Sequence, residues 1–317
     1  MPQAAVPFAH RDKNGINPAE GAMLEVTPLH PLFAGEATGV DLRRPLDEAA
    51  CHSVVAAMDE YAVLVFHDQH IDDAQQMAFA ESFGPLETSR EADRPGHTMR
   101  LDVRMADVSN IGIDGKPLPP DHFRRMSGLA NQLWHTDSSF KRMPATYSML
   151  SARAIPDAGG DTEFADCRAA YDTLSEAMKA KIAGLVAEHS IYTSRAVLGF
   201  TDFTAEERAA LPAVLHPLVR THPGSGRTSL YIASHAGGVV GMPVAEARLL
   251  LADLTEHATR REFVYRHKWR TGDLVIWDNR CTLHRGRGFD LDAVRDVRRT
   301  TVADIAHGEV PLAASAA

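Results

Sequence analysis

The chain has 317 residues, of which 44% are hydrophobic and 24% are charged, a composition typical of a soluble globular protein with a sizeable core. Its length predicts one large domain or two ordinary ones. A formal net charge of −9 argues against a general nucleic-acid-binding protein, which would carry a basic excess.

Both ends of the chain have the composition of loose tails. Residues 1–21 are polar, rich in proline and glycine, and lack the cationic and apolar regions of a secretory signal, so we predict a flexible N-terminal tail. We predict a second flexible tail over residues 309–317. No repeat or low-complexity linker interrupts residues 22–308, which we therefore interpret as a single domain.

The cysteines and the apolar segments predict a cytoplasmic protein. Cys51, Cys167 and Cys281 lie far apart and form no CxxC pair, so disulfide bonds are not expected. The plain apolar run over residues 62–66 is far shorter than the ~20 residues that a membrane span needs.

The first half of the domain contains two predicted helices around one buried strand. Residues 47–60 begin with an acidic turn and carry apolar residues at helical spacing, and residues 72–84 begin with acidic residues and end in glycine. Between them, residues 62–66 read as a strand that is apolar on both faces. Residues 111–131 are rich in glycine and proline and predict a long lid or binding loop.

The second half of the domain is mostly strand-like. The predicted strands are 146–155, 161–165, 215–222, 228–233, 262–269, 273–280 and 297–304. Helices are predicted at about 166–182, 204–210 and 243–258. Many short strands with few βαβ alternations favour an antiparallel sheet or a double-sheet barrel with helices packed outside.

A histidine and a carboxylate stand one residue apart in LWHTDSSF, residues 133–140. Because alternate residues of a strand point to one face, His135 and Asp137 can reach a common point. His284, in WDNRCTLHRGRGF, is the best third ligand, and two histidines with one carboxylate are typical of an iron(II) site that keeps open positions. The weaker histidines are His216, His222, His235 and His267. In a chain with 16 histidines, a His-x-Asp pair is more often a pair of ordinary polar residues at a strand end.

Two arginines after His284 add a second feature. Even spacing along a strand puts Arg295 and Arg299 on one face, while Arg298 points the other way. Two guanidiniums beside a metal suggest that two carboxylates are bound, because arginine matches a carboxylate bidentately. The alternative is a solvated face that is neutralised by nearby aspartates, namely Asp290, Asp292 and Asp296.

Further motifs accompany these residues: LHPLFA, MDEYAVLVF, QQMAFAESFGPLE, GGDTEFADCRAAYD, RTHPGSGR and EHATRREFVYRHKW. Together with WHTD and GDLVIWDNRCTLHRGR, they resemble the TauD/TfdA family of iron(II)- and 2-oxoglutarate-dependent dioxygenases, and especially its members that act on aryloxyacetates. The resemblance implies a mainly β domain with flanking helices, built on a double-stranded β-helix of the jelly roll, cupin-like type. It also implies Fe(II) as the cofactor, with 2-oxoglutarate and O2 as cosubstrates.

The resemblance assigns roles to individual residues. It implies that three residues are the iron ligands, namely His135, Asp137 and His284. Thr162, in GGDTEF, and Arg295 match the residues that hold the far carboxylate of 2-oxoglutarate. Trp277 matches a tryptophan that lines the cosubstrate site.

Other matches concern the second substrate. Arg299 matches the arginine that receives the substrate's anionic group. Asn110, in DVSN, resembles a substrate-pocket asparagine, with a strand-end or turn asparagine as the alternative. Trp134 either lines the pocket or packs in the core, which is the more common position of a tryptophan. Residues 88–107 depart from the family pattern, and we expect them to shape the substrate pocket.

The implied reaction hydroxylates the carbon next to the ether oxygen of an aryloxyacetate. The products are a phenol and glyoxylate, together with succinate and CO2. We therefore expect a small anionic aromatic substrate, no nucleic-acid or membrane partner, and a homo-oligomer.

Three alternatives remain open. The same chemistry could act on an alkylsulfonate or an alkyl sulfate, since an arginine also suits those anions. A zinc hydrolase could use two histidines and a carboxylate, although the HExxH signature is absent. A cupin-like binding protein without catalysis is the third.

Overall fold

The computed structural model describes residues 24–89 and 98–313. Its helices are α1 (Glu48–Tyr61), α2 (Asp73–Glu81), α3 (Phe123–Gly128), α4 (Cys167–Asp172), α5 (Glu176–Ile182), α6 (Ile191–Val197), α7 (Ala205–Ala210) and α8 (Val244–Ala258). Its strands are β1 (Glu25–Pro28), β2 (Gly35–Thr38), β3 (Val63–Phe66), β4 (Ala106–Asp107), β5 (Ala145–Ala154), β6 (Thr162–Asp166), β7 (Val186–His189), β8 (Val214–Pro217), β9 (Val219–Thr221), β10 (Thr228–Leu230), β11 (Ala236–Val239), β12 (Val264–His267), β13 (Leu274–Asp278), β14 (Thr282–Gly286) and β15 (Asp296–Ala303).

Two sheets position the residues that the sequence singled out. The large sheet has seven strands in the order β1-β2-β3-β13-β5-β15-β4, and a three-stranded sheet has the order β12-β6-β14. In these two sheets only β2 and β3 pair in parallel; the other paired strands of the described chain are antiparallel. The described chain has two further sheets, a second one of three strands, β11-β7-β8, and the pair β10-β9; below, the three-stranded sheet always means β12-β6-β14. The mainly β, antiparallel arrangement predicted from the sequence is confirmed.

The core between the two sheets follows from alternation along each strand. On β13, Val275 and Trp277 pack in one cluster with Phe164 of the three-stranded sheet. Leu274 and Ile276, which point to the other face, pack in a different cluster beneath α1 and α2. Because both faces are covered, the strand is apolar throughout, which is the pattern of a sheet buried on both sides.

Helices α1 and α2 cover the outer face of the large sheet, and both begin at capped residues. The Asp47 carboxylate accepts a hydrogen bond from the Ala50 backbone at the start of α1, and Asp72 and Gln75 form a capping box at the start of α2. Each such cap contributes about 1 kcal/mol to helix stability. Helices α4 and α8 cover the outer face of the three-stranded sheet in a third apolar cluster.

Several sequence predictions need correction. The predicted loop 111–131 contains α3, which begins where the His122 ring accepts a hydrogen bond from the Arg124 backbone, followed by a 3-10 turn over Leu129–Gln132. The predicted helix 166–182 is two helices, because the Ser175 hydroxyl caps the start of a separate α5.

Backbone hydrogen bonds continue beyond the predicted domain boundary at residue 308. Val310 is buried and its N–H donates to the Arg142 carbonyl, while the Leu215 N–H donates to the Pro311 carbonyl. The first residues of the predicted C-terminal tail are therefore joined to the rest of the domain by backbone hydrogen bonds. The predicted N-terminal tail, residues 1–21, lies outside the described residues.

The structure contains Cys51, Cys167 and Cys281 as free thiols, as the spacing of the cysteines in the sequence predicts. None of the helices in the described ranges combines the length and apolarity of a membrane span.

Candidate active site

A cavity of about 700 Å³ opens between the large sheet and the three-stranded sheet. Side chains from β6, β13, β14 and β15 line its inner part, and α3 and the segment between α6 and α7 line its rim. The two-sheet architecture therefore brings residues from distant parts of the sequence to one concave site, which is where small-molecule sites are usually found.

Three of the predicted residues meet inside this cavity. The ligand atoms of His135, Asp137 and His284 all lie within 4.8 Å of one another, and all three side chains are buried. The two histidines are held by paired backbone hydrogen bonds of 3.0 and 2.7 Å, which extend β14 towards the WHTD segment. The WHTD segment and β14 therefore bring their three ligand side chains to one point.

The histidines are arranged to offer a nitrogen lone pair. His135 Nδ1 lies 2.7 Å from the Leu133 carbonyl oxygen, which can only accept, so Nδ1 carries the hydrogen and Nε2 is the lone-pair nitrogen. Burial lowers the pKa of His135, and burial together with the neighbouring His135 lowers the pKa of His284 further. Both rings are therefore neutral, the form that binds metals.

Asp137 supplies the negative charge. Although its burial opposes ionisation, the Arg299 guanidinium and the two histidines hold the pKa of this carboxyl well below its usual range. One carboxylate oxygen accepts from Ser148 Oγ at 2.7 Å and the other accepts from Arg299 Nη1 at 2.5 Å. Two imidazole nitrogens and one ionised carboxylate are a donor set that suits Fe(II).

A second cluster of ligand types, formed by His222, Asp278 and Cys281, does not offer a comparable site. His222 Nδ1 accepts from the Ser225 N–H, so its hydrogen is on Nε2, which donates to Asp278 at 3.0 Å. Asp278 is already paired with Arg280, and burial raises the pKa of the Cys281 thiol. The Asp278 carboxylate is therefore already neutralised and hydrogen-bonded by its protein neighbours.

Arg295 is a buried cation that forms no salt bridge with any of the described residues. It is 6% exposed, its guanidinium donates to the carbonyl oxygens of Val108 and Gly160 at 3.4 and 3.3 Å, and it lies 5.5 Å from the centre of the Phe289 ring. Its Nε has no hydrogen-bond partner among the described residues. Burial lowers the pKa of Arg295 to about 10, with no carboxylate to oppose the shift. A carboxylate ligand would supply the missing charge.

Thr162 lies in the same cavity and its hydroxyl has a defined direction. Trp269 Nε1 donates to Thr162 Oγ1 at 3.0 Å, which leaves the hydroxyl hydrogen available to a ligand. The Trp277 ring lies 4.7 Å from the His284 ring, so it packs directly against the candidate metal cluster. Trp269 was not singled out from the sequence, because its place beside Thr162 depends on the pairing of β12 with β6.

Arg295, Arg298 and Arg299 take the orientations that even spacing predicts. Arg295 and Arg299 line the cavity, whereas Arg298 points away and forms ion pairs with Asp73 and Asp296. The alternative of a solvated surface face is therefore wrong for the two cavity arginines, since neither is paired with Asp290, Asp292 or Asp296.

Asn110 lines the cavity, but its side chain is occupied by the backbone. Its amide nitrogen donates to the carbonyl oxygens of Leu291 and Ala293, and its oxygen accepts from the Arg295 N–H at 2.8 Å. The substrate contact of Asn110 stays a prediction; both of its amide hydrogens are used by backbone carbonyls of the segment that precedes Arg295.

The remaining sequence candidates lie outside the cluster of three. His235 lines the cavity, while His216 contacts the Ser139 carbonyl and His267 pairs with Asp273. Trp134 packs against the apolar cluster under α8 with the Arg285 guanidinium 4.5 Å from its ring, which is the core position expected of most tryptophans.

Comparisons with known proteins identify the family of this chain. A family model described as taurine catabolism dioxygenase TauD, TfdA family, matches residues 25–301. An α-ketoglutarate-dependent 2,4-dichlorophenoxyacetate dioxygenase from Cupriavidus pinatubonensis is 51% identical over 279 residues, or 87% of this chain and 96% of the relative. An (S)-phenoxypropionate/α-ketoglutarate-dioxygenase from Sphingobium herbicidovorans is 38% identical over 91% of this chain and 98% of the relative. The crystal structure of AAD-2 with Mn(II) and N-oxalylglycine aligns at a TM-score of 0.83 with 52% identity, covering 91% of this chain and 99% of that chain.

Proposed function

The chain belongs to the TauD/TfdA family of α-ketoglutarate-dependent dioxygenases, and we propose that it hydroxylates the carbon next to the ether oxygen of an aryloxyacetate such as 2,4-dichlorophenoxyacetate. It is an oxidoreductase with the double-stranded β-helix fold of the family. Its cofactor is Fe(II), and 2-oxoglutarate and O2 are its cosubstrates. The observation that carries the proposal is one cavity in which the cluster of three candidate ligands lies beside the uncompensated Arg295.

The metal ligands in this proposal are His135, Asp137 and His284. Their neutral imidazoles and ionised carboxylate leave further coordination positions for small ligands. When bound, Fe(II) with 2-oxoglutarate and O2 supplies the oxidising power that converts a C–H bond to C–OH, while 2-oxoglutarate becomes succinate and CO2.

Arg295 and Thr162 hold the far carboxylate of 2-oxoglutarate in this proposal. The buried guanidinium donates charge-assisted hydrogen bonds, and the Thr162 hydroxyl adds a neutral donor. Trp277 packs against His284 and forms an apolar wall of the cosubstrate site. These contacts bind and orient the cosubstrate.

Arg299 binds the carboxylate of the aryloxyacetate, and an apolar wall receives the ring. This wall is formed at the rim of the cavity by Phe123, Met126, Leu129, Phe200 and Phe203. Because the carboxylate and the ring of the substrate are both held, the carbon between the carboxylate and the ether oxygen is placed beside the metal ligands. The reaction requires this positioning. The hydroxylated product is a hemiacetal: its hydroxyl loses a proton, the bond between the hydroxylated carbon and the ether oxygen breaks, and the phenolate that leaves takes up a proton as glyoxylate forms. This collapse requires no protein base.

A substrate panel tests the proposal. Purified protein is supplied with Fe(II), 2-oxoglutarate and O2, and succinate is measured with aryloxyacetates, alkylsulfonates and alkyl sulfates. We expect succinate and a phenol with aryloxyacetates, and none when any of the three components is omitted. Preference for a sulfonate or a sulfate would overturn the substrate assignment, and hydrolysis with Zn(II) alone would overturn the reaction class. The cytoplasmic location and the homo-oligomer remain predictions.

A further inference from the structure

The carboxylate of Asp137 is supported from the large sheet by two buried polar side chains. We propose that Ser148 and Asn279 are positioning residues that fix this carboxylate for metal binding. The inference rests on the metal centre proposed above. We call this pair the Asn279–Ser148 relay; Ser148 lies on β5, and Asn279 directly follows β13.

The direction of each hydrogen bond in the relay follows from its donors. Asn279 Oδ1 accepts from the Asp137 backbone N–H and from Trp277 Nε1, both at 3.1 Å, and these groups can only donate. The Asn279 amide nitrogen is therefore the atom that faces Ser148 Oγ, 3.0 Å away. The ionised Asp137 carboxylate can only accept, so the Ser148 hydroxyl hydrogen is directed to Asp137 Oδ2 at 2.7 Å, and Thr301 Oγ1, at 3.4 Å, can donate to Ser148 Oγ.

The surroundings of the relay leave little freedom. Ser148 is fully buried and Asn279 is nearly so, and a second contact, from Thr136 Oγ1 to the Asn279 carbonyl at 2.7 Å, holds the residue before Asp137. Two strands of the large sheet thus fix both the backbone and the side chain of Asp137. Groups that orient a ligating carboxylate in this way commonly change metal affinity ~10–100-fold when removed.

The chain provides a matched control on the same strand. Ser151 also lies on β5, is 2% exposed, and donates from Oγ to Gln76 Oε1 at 2.6 Å. Because it is an odd number of residues from Ser148, it points to the opposite face of the sheet. Ser151→Ala therefore removes a buried hydrogen bond of similar length without touching the metal cluster.

The test measures Mn(II) affinity by calorimetry without O2, using the full chain. The variants are Ser148→Ala, Ser148→Cys, Ser148→Thr, Ser151→Ala and Asp137→Ala, each with its thermal midpoint recorded. We expect Ser148→Ala to weaken Mn(II) binding ~10–100-fold. Ser148→Cys, whose thiol is a weak donor, should behave similarly, and Ser148→Thr should restore most of the affinity. Ser151→Ala should bind Mn(II) like the wild type at a comparable cost in thermal midpoint.

Two outcomes overturn the inference: undiminished affinity in Ser148→Ala, or equal losses in Ser148→Ala and Ser151→Ala. If Ser148→Ala does not fold, Ser148→Cys decides, and wild-type affinity in that variant overturns it. A failure of the proposed metal centre looks different, because Asp137→Ala would then bind Mn(II) as well as the wild type does.

Discussion

Replacing Arg295 by methionine should stabilise the ligand-free protein and weaken its affinity for 2-oxoglutarate. Among the described residues the buried guanidinium donates to two backbone carbonyls at 3.3–3.4 Å, forms no salt bridge, and keeps one N–H without a partner. Methionine fills a similar volume and adapts its shape to irregular space. The substitution therefore ends the desolvation of a charge but also removes the counter-ion of the cosubstrate.

The two effects have opposite signs and separable magnitudes. Relief of an uncompensated buried charge stabilises by about 1–4 kcal/mol, judged from buried ion pairs replaced by apolar side chains. In a domain of this size each kcal/mol raises the thermal midpoint by roughly 2 °C. Loss of one partner of a buried charge pair costs about 2–5 kcal/mol of binding, which corresponds to a ~30- to 4,000-fold weaker affinity for 2-oxoglutarate.

Calorimetric melting with and without Mn(II) and N-oxalylglycine measures both effects. Arg298→Met is the control, since Arg298 points away from the cavity and is paired with Asp73 and Asp296. We expect that control to lower the thermal midpoint and to retain the ligand-induced shift. The reasoning would be refuted by an Arg295→Met protein that melts below the wild type and still responds fully to the ligand.

Three further predictions concern separate contacts. Trp269→Phe removes the donor to Thr162, and the loss of one neutral hydrogen bond should raise the KM for 2-oxoglutarate ~2–10-fold while the KM for the aryloxyacetate stays constant. Arg299→Gln should raise the KM for the aryloxyacetate more than that for 2-oxoglutarate, and equal effects on both would contradict the division between the two arginines. Burial lowers the pKa of His216 to about 3. Between pH 6.5 and pH 3 the imidazole of the unfolded chain therefore binds a proton, whereas that of the folded chain stays neutral. The stability of the folded protein should fall as the pH is lowered through this range. His216→Gln should therefore show a flatter decline of thermal midpoint between pH 7 and pH 5, and an unchanged slope would contradict this assignment.

Local patterns in the sequence were sufficient to predict much of the scaffold. The apolar segment 62–66 reads as a strand buried on both faces, and β3 packs Val63 and Val65 towards one cluster and Leu64 and Phe66 towards another. The helix over 47–60 was also placed correctly, because an acidic cap and helical spacing are local signals. The loop 111–131 was wrong in part, since its glycines and prolines concealed a helix of only six residues, α3.

The site was only partly predictable, for a different reason. The spacing of His135 and Asp137 is visible locally, but the contacts of the Asn279–Ser148 relay join segments that meet only through the register of the large sheet. Asn110 shows that the residue type alone does not determine what a side chain contacts. Its residue type suited a substrate ligand, yet its neighbours in space, the backbone groups around Arg295, determine what it binds.

The stoichiometry of phenol and succinate tests the central claim most directly. Wild-type protein, Fe(II), 2-oxoglutarate, O2 and 2,4-dichlorophenoxyacetate are combined, and both products are measured as the reaction proceeds. The proposed reaction requires equal amounts of phenol and succinate throughout, and neither product above background with Asp137→Ala. Phenol formed without succinate, or from the Asp137→Ala protein at the wild-type rate, would contradict the claim that this cavity is the site of a 2-oxoglutarate-dependent hydroxylation.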